Sequence, residues 1–229
     1  MSKAKKMNKD FIAIGIILAV LVVGLIVWKI ADKPNSYTTA GDGQNSTISS
    51  TDSNSQVENL LDTSLTYYAD IVVKDYGTIT VKLDPSSAPI TCANFVELAN
   101  SKFYDGLTFH RIMEDFMMQG GDPQGNGTGG SDKNIVGEFI SNGYNNKLSH
   151  TRGAISMARS GNPNSASSQF FIVHKDSTFL DGQYAAFGFV TEGIDIVDKV
   201  CKDAKPVDNN GTILAGQQPI ITSISIRTE

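Results

Sequence analysis

In the stretch FHRIMEDFMMQGGD, residues 109–122, one arginine, Arg111, lies among Phe, Ile and Met, and Gln119 follows near the end of the apolar run. No serine, cysteine or paired acid adjoins Arg111 to act as nucleophile or general acid. What the segment offers is a cation, an amide and an apolar wall. His110 sits next to the arginine, but strand alternation puts it on the opposite face, where a satisfied core histidine is expected. His150 and His174 show no ligand spacing with it, so no metal site is expected.

Other polar stretches also fail as chemistry. GNGTGG, residues 125–130, has the spacing of a dinucleotide loop, but no βαβ unit surrounds it and no Walker lysine-serine follows. A glycine-rich surface loop beside a substrate groove is the better reading. SGNPNSASS lacks the G-x-S-x-G elbow of a serine hydrolase. Cys92 and Cys201 lie far apart without a CxxC, so they read as buried thiols. A net charge of −5 argues against a nucleic-acid backbone as partner.

The elements that must position Arg111 are mostly short strands. ADIVVKD and TITVKL flank Tyr76 and Gly77 in a hairpin pattern. SSAPITCANFVELANSKFY reads as a helix capped by Ser86 or Ser87, with Pro89 in its first turn. Further strands are expected at LTFHRIM, FMMQGG, GAISMA, SQFFIVH, AAFGFV and PIITSISIRT, and a second helix at GIDIVDKVC. Few strand pairs have a helix between them, so a mainly β fold follows: a closed or nearly closed antiparallel barrel with helices at its ends.

The first 65 of the 229 residues read differently. Residues 1–10 carry Lys3, Lys5, Lys6 and Lys9 and form a basic cytoplasmic tail. Residues 11–28, FIAIGIILAVLVVGLIVW, hold no charge. As a helix they would span about 27 Å, close to the thickness of a bilayer core. Trp28 suits the far interface, and the lysine bias keeps the N-terminus in the cytoplasm. The segment is longer than a signal-peptide core and lacks a good cleavage site, so an uncleaved single-pass anchor is expected. Residues 29–65 are rich in Ser, Thr, Asn, Asp and Gly and read as a flexible polar linker. The domain then begins at 66, outside the cell membrane.

FHRIMEDFMMQGGDPQGNGTGG, GAISMAR, SSQFFIVH and FLDGQYAAFGFV together resemble the cyclophilin family of peptidyl-prolyl cis-trans isomerases, in a bacterial-like form. The resemblance runs from about residue 68 to 228 and implies a closed eight-stranded antiparallel β-barrel capped by two helices. It implies catalysis of X-Pro bond rotation, with no cofactor. Such a bond has a barrier of about 18–20 kcal/mol and exchanges over tens to hundreds of seconds unaided. Nothing covalent is made or broken, so no nucleophile is needed. The twisted amide regains a nitrogen lone pair, and a fixed donor aimed at that nitrogen favours it over the planar ground state.

By motif, Arg111 matches the catalytic arginine, and Gln119 would orient it or grip the peptide. Phe116, Met117, Phe171 and Leu180 match the walls of the proline pocket, with Gln119 and Gln169 on its polar side. Ala158 and Arg159 match the edge that pairs with substrate backbone, and Gly127 lines the adjoining subsite. Arg159 stands where the family usually has Asn, Phe179 where Trp is common, and Tyr184 where His is common. The implied partners are proline-containing segments of unfolded or exported proteins, with cyclosporin bound at reduced affinity. The rival readings are a docking module that binds proline segments without turnover and a structural surface protein. Retention of Arg111, Phe116, Met117 and Gln119 favours the enzyme.

Overall fold

The computed structural model describes residues 61–229. The expected basic tail, membrane span and most of the linker lie outside the described residues. Among the described residues no helix is long and apolar enough to cross a membrane.

β1 (Tyr67–Val73) and β2 (Gly77–Leu83) form the expected hairpin, with Val73 paired to Gly77. In β1 burial alternates strictly, sending Tyr67, Ala69, Ile71 and Val73 into the core. β3 (Thr108–Met113), β4 (Met117–Asp122), β5 (Ala154–Met157), β6 (Phe170–Val173), β7 (Ala186–Glu192) and β8 (Ile221–Thr228) complete one antiparallel sheet of order β3-β4-β6-β5-β7-β2-β1-β8. α1 (Pro89–Asn100) packs on β8, and α2 (Ile194–Asp203) on β2 and β4. Between sheet and α1 sit Phe95, Tyr104, Phe109, Phe170 and Phe187, all fully buried and stacked edge-on or tilted.

Two expectations need correction. The sheet is curled but not closed by a ladder: where β3 meets the chain just before β8 there is one isolated bridge, Thr108–Ile220. The reason lies in the chain before β8. The Ile112 N–H donates to the Gly211 carbonyl (2.8 Å), the Ile213 N–H donates to the His110 carbonyl (2.9 Å), and Arg111 bridges Thr212. The loop at 211–213 thus occupies the β3 edge that β8 would need. The second correction concerns the start of α1. Neither Ser86 nor Ser87 caps it; the N-cap position is Ala88, without a side-chain bond. Both serines instead bond the Asp84 carboxylate. The free N–H groups of Ile90 and Thr91 are taken by the buried carboxylate of Glu138 at 3.1 and 2.7 Å. A carboxylate 48 residues downstream of Ile90 does what a local cap would otherwise do.

Candidate active site

β3 and β4 are the backbone of the site. Their register sets Arg111 opposite Gln119, and Gln119 opposite Phe171 on β6. Both polar side chains are half-buried on one face while Ile112 and Met118 fill the core behind them. The Arg111 guanidinium donates from Nε to the Asn210 carbonyl (2.7 Å) and from Nη1 to Gln119 Oε1 (3.2 Å). Its remaining neighbours are sulfur: Met117 Sδ at 3.9 Å and Met113 Sδ at 3.4 Å. Thioethers are weak acceptors. Among the described residues no carboxylate pairs with this cation. Burial pulls its pKa below the usual arginine value, while nearby Tyr184 and Asp208 push it back. A guanidinium so placed keeps its charge at neutral pH.

Gln119 is locked in one sense. Its Oε1 accepts from Arg111, its Nε2 donates to Gln169 Oε1 (2.8 Å), and Gln169 Nε2 donates to the Gly129 carbonyl (2.7 Å). Turning either amide over would set like against like. Ala158 joins through its N–H to the Gln169 carbonyl (2.9 Å).

The apolar wall comes from three segments. Phe116, on the β3–β4 turn, stacks on Phe179 at 5.7 Å between centroids and lies 5.9 Å from the Arg111 guanidinium carbon. Met117 and Phe171 are buried on adjacent strands, and Leu180 is buried in a 3-10 turn, Thr178–Leu180. Phe179 in the same turn is 47% exposed, as a groove rim would be. Tyr184 meets Phe171 edge-on at 6.1 Å. Arg159 folds back over Tyr184 (4.8 Å) and Phe139 (5.0 Å) and donates twice to the Gln183 carbonyl. Gly127 lies apart from this cluster, on the loop after β4. With φ +89° it favours glycine. Its N–H donates to Asp122 Oδ2 (2.6 Å).

His110 departs from expectation. It is buried, but neither ring nitrogen has a hydrogen-bond partner among the described residues. A bulge between Phe109 and Arg111 breaks the alternation, so Phe109 and His110 are both buried. Burial lowers its pKa, Asp122 opposing and Arg111 adding to the effect, which keeps it neutral.

Several contributors were not foreseen. The Asn210 carbonyl is one; the cluster DNNGT reads as a turn, with Gly211 at φ +86°, but nothing local says that it meets a side chain 99 residues away. Met113 is another. A third is His174, whose Nδ1 accepts the Asp115 N–H (2.9 Å), whose own N–H donates to the Phe116 carbonyl (2.9 Å), and whose Nε2 reaches Asp198 on α2 (3.1 Å). It ties the turn that carries Phe116 to the body of the domain.

The model of the family described as cyclophilin type peptidyl-prolyl cis-trans isomerase/CLD matches residues 68–226. Peptidyl-prolyl cis-trans isomerase-like 1 of Rhizopus delemar is 46% identical over 125 residues, which are 54% of this chain and 74% of that protein. Peptidyl-prolyl cis-trans isomerase B of Bacillus subtilis is 45% identical over 124 residues, 54% and 83% of the two chains. A crystal structure of a Cryptosporidium parvum cyclophilin type peptidyl-prolyl cis-trans isomerase, obtained in the presence of the dipeptide Ala-Pro, superposes with a TM-score of 0.62 at 30% identity, covering 71% of this chain and 99% of that one. The chain belongs to the cyclophilin-type peptidyl-prolyl cis-trans isomerases, and its reaction is the cis–trans isomerisation of X-Pro bonds. The Rhizopus and Bacillus relatives match almost equally, so they do not single out the bacterial-like form.

The loop after β4 supplies a pH prediction. Burial raises the Asp122 pKa, but N–H donation from Gln124, Gly127, Asn126 and Gly129 outweighs it and leaves the carboxyl below its ordinary value. A depressed pKa contributes stability that is full above the unfolded value, about 3.9, and is lost as pH falls through the folded value. Chemical denaturation from pH 7 to 3 should show this loss. Asp122→Asn should remove that part of the pH dependence and cost about 1–3 kcal/mol at pH 7.

Proposed function

We propose that Arg111 performs the isomerisation by donating to the nitrogen of the twisted prolyl amide. One observation carries this: the guanidinium is fixed by neutral acceptors, with no carboxylate among the described residues paired to it. Fixing costs nothing further when the amide twists, which is the condition for stabilising a transition state rather than a ground state. Phe116, Met117, Phe171 and Leu180 would hold the proline ring, with Phe179 at the rim and Tyr184 closing one side. Gln119 orients the arginine, and Gln169 orients Gln119. Ala158 and Arg159 would present backbone to the peptide, and Gly127 would line the subsite beyond. The Ala-Pro dipeptide present with the Cryptosporidium relative supports a proline-containing peptide as ligand. Cyclosporin would bind at reduced affinity, because Phe179 replaces a larger indole.

Exported proteins are the proposed clients, served by a domain tethered outside the cytoplasmic membrane. The uncharged residues 11–28 behind four lysines support this. Added protease should remove the domain from intact cells; cleavage only after lysis would contradict the tether's orientation.

For the chemistry, Arg111→Ala should lower kcat/KM for a short X-Pro peptide by about 10² to 10³, the loss seen when a preorganised donor is removed. Exchange followed by NMR, with circular dichroism to confirm folding, measures it. A folded variant that keeps its rate would remove Arg111 from the mechanism.

A further inference from the structure

We infer that Met113 is an oxidation site through which a hydroperoxide lowers the isomerase activity. The inference rests on the role proposed for Arg111. Met113 Sδ lies 3.4 Å from Arg111 Nη2, within reach of an N–H···S contact. It is also the accessible methionine of the described domain. Met117, Met118 and Met157 are buried at 1%, 0% and 1% exposure, whereas Met113 is half-buried at the end of β3.

The thiols offer no easier target. Cys92 and Cys201 are both buried. Burial raises Cys92 well above the ordinary thiol value and pushes Cys201 up to about 12. Reactivity toward peroxide follows thiolate character and exposure, and both are missing. An oxidant that reaches the folded domain therefore meets Met113 first.

The step balances with hydrogen peroxide. The thioether sulfur attacks one peroxide oxygen, an S–O bond forms and the O–O bond breaks. Sulfur loses two electrons, and the other oxygen leaves as water, taking the proton from the oxygen transferred. The product is the sulfoxide. Its oxygen is a far stronger acceptor than the thioether, and it arises beside Nη2. It draws that N–H toward itself and away from the substrate nitrogen. A whole donor is worth about 10² to 10³ in rate, so partial diversion of this one should cost about tenfold.

The full chain is titrated with hydrogen peroxide, and the mass of each methionine peptide is followed beside kcat/KM. Met113→Leu is treated in parallel, each rate being normalised to its own untreated protein. Met113 should gain one oxygen before Met117, Met118 or Met157, and the rate should fall with it. Methionine sulfoxide reductase should restore the rate, and Met113→Leu should keep its own. Four results would overturn the inference: full oxidation of Met113 with the rate unchanged; earlier oxidation of the buried methionines; loss that follows Met1 or Met7 instead; or equal loss in Met113→Leu. The untreated Arg111→Ala protein separates the two readings. If it keeps its rate, the role of Arg111 fails. If it loses its rate but sulfoxide formation does not slow the native chain, only the present inference fails.

Discussion

The layout around the site follows from a guanidinium held in place with no carboxylate partner among the described residues. A partly buried charge is costly unless polar groups replace its lost water. Arg111 meets that cost with the Asn210 carbonyl and the Gln119 amide, both neutral. On the role proposed for Arg111, a carboxylate at this place would compete with the amide nitrogen for the same N–H groups. On that proposal, neutral acceptors leave the cation's field available to the substrate.

The supporting structure keeps those two acceptors fixed. Asn210 is held by a turn in which the Asp208 carboxylate accepts from the N–H groups of Asn210 and Thr212, both at 3.0 Å. That loop runs along the edge of β3, which is also why the sheet stays open there. Gln119 is held by Gln169, which is held by the loop that Asp122 organises. Phe116 depends on a turn pinned by His174. Local turns at Asp208 and Asp122 and long-range contacts at Gln169 and His174 combine here, so a change at any of them can reach the arginine without touching it.

Much of this is legible in the sequence, for identifiable reasons. Alternation marks β1 as a strand, because burial with period two leaves a local trace. Arg111 and Gln119 stand out because polar side chains in an apolar strand need a reason. Open closure, the Glu138 cap and the Asn210 carbonyl were not readable, since each depends on a contact across the fold. Alternation places His110 in the core as expected, but it cannot say whether a buried ring finds partners, and this one finds none among the described residues. Motif resemblance names Gly127 and Phe179 as site residues; in the structure Gly127 sits apart from the cluster on the loop after β4, and Phe179 stacks on its rim.

On the role proposed for Arg111, catalysis needs its fixed fork and not merely a positive charge. Its most direct test is kcat/KM of Arg111→Lys on a short X-Pro peptide, beside the native chain. Lysine keeps the charge but cannot hold Asn210 and Gln119 while presenting a further N–H in one plane. The expected result is a loss approaching that of removing the donor, about 10²-fold. A folded lysine variant within about threefold of the native rate, a difference of under 1 kcal/mol, would show that charge alone suffices and would contradict it.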